Sequence, residues 1–164
     1  MKIEIIISIA TSIIAITAVA VAVWQGVLTR RHNKLSVRPI LNFKIGSSKA
    51  LDFVGIRLVN DGFGPAIVES INLFIGNEFV GKSKYDVWVT ILRKLNISKS
   101  PFLFNSISEK HPISSGQSLN LIYLDSARIT EQDIQHFKLL KKMLKVSVNY
   151  KSIYEEPFFL EMKK

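Results

Sequence analysis

Hydrophobic positions follow two regimes along this chain. From Ile5 to Leu28 they are nearly continuous (IIISIATSIIAITAVAVAVWQGVL), with no ionised side chain. At 1.5 Å rise per residue, about 20 such residues cross the hydrocarbon core of a bilayer, so the stretch predicts a membrane-spanning helix. A cleaved signal peptide is the competing reading, because Ala18–Ala22 offers small residues for a cleavage site. Three features favour an uncleaved anchor. The run exceeds the roughly 7–15 residues of a typical signal core. Lys2 is offset by Glu4, and Arg30-Arg31 follow at once.

After Pro39 the period becomes two. Leu41, Phe43 and Ile45 alternate with Asn42 and Lys44, which predicts a half-buried strand turned at Gly46-Ser47-Ser48. Further strands are expected at Leu51–Asn60, Ile67–Ile75, Glu78–Val80, Phe102–Ile107 and Ser118–Leu124, with a closing hairpin from Lys145–Tyr150 and Ile153–Met162. Helical period returns twice. In Lys82–Asn96 the residues Val87, Ile91, Leu92 and Leu95 share a face, with Ser83 or Asp86 as cap. From a Thr130 cap onward, Ile134, Phe137, Leu140 and Leu144 form a second buried stripe. Pro112 and Gly116 mark Ser108–Gln117 as a loop. About seven strands with short turns predict an antiparallel, sandwich-like, mainly-β domain with two helices behind a single N-terminal transmembrane helix. Residues 1–34 would be the anchor with its basic juxtamembrane segment, and residues 35–164 the β-rich domain.

Charge orients this arrangement. Lys2 stands before the span; Arg30, Arg31, Lys34 and Arg38 stand after it. Lys and Arg beside a span stay cytoplasmic, so the expectation is a single-pass membrane protein with its C-terminal domain in the cytoplasm. Trp24 suits the interface at that end. Within the span, Ser8, Thr11, Ala15, Ala18, Ala22 and Gln25 recur every three or four residues, and Ala18, Ala22 and Gly26 form a small-xxx-small series on the same side. Between helices in lipid, close backbone approach and hydrogen bonds replace the hydrophobic drive, so these seven residues are the expected helix–helix interface of a homo-oligomer. An alanine-rich helix also shows small residues on any face by chance.

The chain carries 22 basic and 13 acidic residues and no cysteine. Without residues 1–34 the balance is 18 against 12, a net charge of about +6, which favours anionic partners. The absence of cysteine excludes disulfides, thiolate metal sites and thiol nucleophiles. His32, His111 and His136 are scattered, and neither HExxH nor a nucleophile elbow occurs. The expectation is therefore a non-enzyme with no cofactor and no metal. For an anionic ligand the candidate residues are Arg128, Lys138, Lys142 and Lys145; the competing reading is that these lysines only complement the helix dipole. Next in line stand Lys44, Arg57, Lys82 and Lys84. The glycine-rich Asn60-Asp61-Gly62-Phe63-Gly64-Pro65-Ala66 lacks a P-loop lysine and reads first as turn chemistry, with glycines for unusual backbone conformations, and second as an anion cradle.

The segment HNKLSVRPIL directly after a single span, with a strand ending VNDGFGPAIV and a weaker echo in VSVNYKSIY, resembles a loose group of small single-pass bacterial membrane proteins with a cytoplasmic β domain. The architecture is also similar to that of small membrane effectors of bacterial antiviral defence, including the cyclic-tetra-adenylate-sensing effector of type III CRISPR systems. That resemblance implies a sensor that binds a cyclic nucleotide, associates with itself in the bilayer (a tetramer would match the ligand's symmetry) and opens or disturbs the membrane; duplex nucleic acid is not an expected partner. A non-catalytic, membrane-tethered protein-interaction module is the alternative.

Overall fold

The computed structural model describes residues 2–47, 53–106, 110–125 and 129–162. The chain forms two compact units, Met1–Ser36 and Val37–Lys164.

The first unit is one helix, α1 (Lys2–Ser36), none of whose side chains is buried. It is long and apolar enough to cross a membrane. Its hydroxyls fold back onto the helix: Thr11 Oγ1 donates to the carbonyls of Ile7 (2.9 Å) and Ser8 (3.0 Å), Ser12 Oγ to Ser8 (2.8 Å) and Thr17 Oγ1 to Ile13 (2.8 Å). Hydroxyls satisfied in this way lose little in hydrocarbon, which makes them compatible with a span whether or not a partner helix is present. The helix stops at Ser36 because Pro39 forces Arg38 out of helical geometry.

The second unit is built from two antiparallel sheets. One has the order β1 (Leu41–Ser47), β2 (Val54–Asn60), β7 (Ser118–Leu124), β5 (Phe102–Phe104). The other has the order β4 (Glu78–Lys82), β3 (Ala66–Ile75), β8 (Leu144–Lys151), β9 (Pro157–Glu161), and β6 (His111–Ile113) pairs with the start of β3. Ile56, Leu58, Leu121 and Ile122 of the first sheet share one core with Val68, Leu73, Val146 and Val148 of the second, so the domain is a β-sandwich. The turn Gly76-Asn77 joins β3 to β4, with Gly76 at φ +59°, where a side chain would be strained. The expected Leu51–Asn60 strand begins at Val54; its first two positions lie outside the described residues.

Two departures from the expected pattern have physical causes. Pro112 does not break the chain into a loop but sits in β6, paired with Ile67, on a short edge strand that needs no ladder donor from it. In α2 (Tyr85–Lys94) neither Ser83 nor Asp86 caps the helix; Lys84 occupies the cap position without a side-chain hydrogen bond. Ser83 is engaged elsewhere. Its hydroxyl accepts from Nε1 of Trp88 at 3.0 Å, and the indole is fully buried. At about 25 cal/mol per Å2, the 150–250 Å2 of such a ring contributes roughly 4–6 kcal/mol before entropy is counted. Trp88 therefore anchors α2 together with Ile91 and Leu92.

The other helix, α3 (Glu131–Met143), lies against β1, β2 and β8 and buries Ile134, Phe137 and Leu140. Thr130 does cap it, in a reciprocal box. Asp133 N–H donates to Thr130 Oγ1 (3.2 Å), while the Asp133 carboxylate accepts from Thr130 N–H (3.0 Å) and Oγ1–H (2.7 Å). The helix ends one residue earlier than its apolar stripe, because Leu144 already starts β8.

Candidate functional site at the chain exit

Val37, the first residue after α1, belongs to the sandwich unit, and the segment from it to Leu41 is built into that unit. Pro39 and Leu41 are buried. The Arg38 guanidinium lies 5.1 Å from the centre of the Phe158 ring, which stacks on Tyr150 at 5.3 Å. Leu41 N–H reaches the Tyr150 hydroxyl at 3.5 Å.

The other side of this segment is held by the loop after β2. Asn60 is fully buried, and its amide is saturated. Oδ1 accepts from Ile40 N–H (3.2 Å) and Gly62 N–H (3.0 Å); Nδ2 donates to the carbonyls of Gly64 (2.8 Å) and Ile113 (2.9 Å). Its backbone bonds the 116–117 turn, with Asn60 N–H donating to Gln117 (3.0 Å) and Gly116 N–H donating to Asn60 (2.9 Å). Asp61 N–H adds a bond to the Ile40 carbonyl at 2.8 Å. One side chain thus joins the chain exit, its covering loop and the end of β6.

The glycines of this loop have a different role from the expected one. Neither Gly62 nor Gly64 has a positive φ. They are glycine because backbone occupies the space a side chain would need: a Cβ on Gly62 would overlap Ile40 N and Arg38 O, and one on Gly64 would overlap the Val37 carbonyl. The N–H groups of Asp61 and Gly62 already donate to Ile40 and Asn60, so neither is offered to an anion. Asn60 was legible in the sequence only as a turn residue; a buried four-bond hub has no local signature, though two glycines flanking an exposed Phe63 hint at close backbone approach on one side.

Outside this clamp the basic residues divide into paired and open ones. Lys145 sits on β8 rather than on α3, and its Nζ lies 2.6 Å from Glu161 Oε1. Lys138 and Lys142 are exposed on α3; Arg128 lies outside the described residues. The structure therefore does not bring the four candidates together as a described cluster. Lys44 pairs with Asp61 (3.2 Å), Lys94 with Glu78 (2.6 Å) and Lys151 with Glu69 (2.6 Å). Hydrogen bonds from Asn42 and Lys44 hold the Asp61 carboxyl below its usual range, and the Glu69 hydrogen bond and charge raise Lys151. These pairs are open to water and add little to stability. Arg57 donates from Nε to Asn120 (2.8 Å) and stacks 4.1 Å from the centre of Phe53.

A Ser/His/Asp group also emerges that sequence spacing does not reveal. Ser100 Oγ is 2.6 Å from His136 Nδ1 and also bonds Asp133. The Asp133 carboxylate accepts its hydrogen bonds from Thr130 in the helix cap, which commits it to the cap rather than to orienting the imidazole as a nucleophilic triad requires. The arrangement latches the turn after α2 to α3. Hydrogen bonds from Thr130, then from Ser100, keep Asp133 ionised below its usual pKa. Among the described residues no three His, Cys, Asp or Glu converge on a metal-sized site.

The chain matches no protein-family model and no curated protein.

Proposed function

We propose that this is a single-pass inner-membrane protein whose cytoplasmic sandwich binds an anionic ligand and passes the change to a self-associating span that opens or disturbs the bilayer. One observation carries the reading. Val37 to Leu41, the first residues of the sandwich unit, are held by the Asn60 loop, so a rearrangement at that edge of the sandwich would act on the segment by which the chain enters it. The net charge of about +6 supports an anionic ligand, and the resemblance points to a cyclic oligoadenylate in antiviral defence. The test is dye release from liposomes carrying the full chain on addition of cyclic tetra-adenylate. Release is expected for the wild type and not for a protein lacking residues 2–28. No release with any cyclic oligoadenylate or cyclic dinucleotide would retire the reading.

A second reading has its own support. Four lysines are already neutralised by acidic neighbours, while Phe63, Phe79 and Phe159 stand exposed on the sandwich. A tethered protein-interaction module would use such aromatic anchors. It would leave liposomes intact and would not impair growth when expressed.

A further inference from the structure

A cleft of about 360 Å3 opens beside α2, away from the chain exit. Tyr85 and Val89 of α2, Ser98 and Ser100 of the turn after it, and Leu103 and Phe104 of β5 form its walls. The volume is that of a small-molecule site.

Its chemistry is mixed in a specific way. The buried Trp88 ring stacks on Phe104 at 6.2 Å, and Phe104 meets Tyr85 at 5.2 Å. An aromatic series that starts in the core thus ends in the cleft wall on a ring that is 68% exposed. Leu103 beside it is 45% exposed. Ser100 is the fixed polar element: it is only 8% exposed, and His136 and Asp133 hold its hydroxyl in place. Lys84 precedes Tyr85, and Lys99 lies between the two serines. Both lysines are exposed and, unlike Lys44, Lys94, Lys145 and Lys151, neither has an acidic partner among the described residues.

Tyr85 is tilted by 52° against Phe104 and its exposed ring offers a platform to another planar ring, hydroxyls can meet that ring's polar edge, and open lysines can meet an anionic group. We infer that this cleft binds a small anion bearing a planar heteroaromatic ring, of the nucleotide class. The inference rests on the anionic-ligand reading above and places its site at α2 and β5 rather than at the lysines of α3. A ligand seated here would touch Ser100 and, through His136 and Asp133, bear on the first turns of α3.

The experiment is ligand-observed NMR on the full chain in detergent micelles, titrated with adenosine 5′-monophosphate, adenosine, inorganic phosphate and cyclic tetra-adenylate. The expected result is binding of the monophosphate and the cyclic nucleotide. Loss of a stacking platform weakens binding by about 10- to 100-fold, so Tyr85→Ala should do so and Tyr85→Phe should not. Lys84→Ala with Lys99→Ala should weaken the monophosphate more than adenosine. All of these residues are exposed, so the variants should melt with the wild type. Binding that survives Tyr85→Ala and is lost in Lys138→Ala with Lys142→Ala overturns the cleft while sparing the anionic-ligand reading. Adenosine binding as tightly as the monophosphate overturns the anionic part of both. No binding by any probe overturns the cleft assignment outright.

Discussion

The carbonyl of Val37 occupies the space that a side chain on Gly64 would fill. This contact, with that of Gly62 against Arg38 and Ile40, explains why a loop with unremarkable dihedrals carries two glycines. Gly64→Ala must displace backbone rather than a flexible side chain. Overpacking of this kind costs about 1–3 kcal/mol, and the upper part of that range is expected here. Phe63→Ala, between the two glycines at a residue 85% exposed, should be near neutral. Thermal melts of the full chain in detergent check the contrast; equal melting of both variants would show that the exit segment is not docked.

Asn60 should be the costliest polar residue in the sandwich. Asn60→Ala leaves two N–H groups and two carbonyls without their partner, at about 1–3 kcal/mol for each buried group left unsatisfied. Asn60→Asp keeps the acceptor but turns an oxygen toward the carbonyls of Gly64 and Ile113. Protonation would restore a donor there. Its folded-state pKa is therefore raised, so this variant should gain stability as pH falls. Denaturant unfolding at pH 7 and pH 5 measures both effects, and a pH-independent Asn60→Asp would contradict the hydrogen-bond assignment.

Asp133 gives the opposite sign. Thr130 and Ser100 depress its folded-state pKa below the ordinary value of 3.8. Its contribution is present above that value and is lost as pH falls through the lower folded-state pKa. Asp133→Asn should therefore destabilise the protein at pH 7 and flatten the acid side of its stability curve below about pH 4. Loss of a helix cap typically costs about 1 kcal/mol. Identical acid limbs for variant and wild type would remove Asp133 from this role.

For the span, Ala18→Leu with Ala22→Leu should weaken self-association, because bulky side chains prevent close backbone approach. Ile9→Leu with Ile13→Leu, on other faces, should not. Crosslinking in lipid reports the oligomer populations, and equal populations for the two pairs would dismiss the seam. Thr11 is a weaker test, since its hydroxyl already bonds its own helix.

Labelling of single cysteines in spheroplasts tests orientation. Asn77→Cys, at the exposed β3–β4 turn, should resist an impermeant reagent until the cells are opened. Labelling of intact spheroplasts would invert the topology read from Arg30, Arg31, Lys34 and Arg38.

Elements whose residues interact with near neighbours were legible from sequence alone. An uninterrupted apolar run fixes α1, Pro39 ends it, period-two alternation marks β1, Gly76-Asn77 turns a hairpin, and Thr130 caps α3; each depends on atoms a few residues apart. What tertiary structure alone decided involves partners far apart in the chain. Asn60 meets Ile113, Ser100 meets His136, Lys145 meets Glu161, and Tyr85 and Phe104 come together across a helix and a strand. Lys145 looked like an open cation because its acidic partner arrives only when β9 pairs with β8, and Gly64 looked like a turn residue because the backbone that excludes a side chain belongs to Val37. Local sequence encodes dihedral preference and face; close approach between distant segments exists only once the two sheets have closed on a common core.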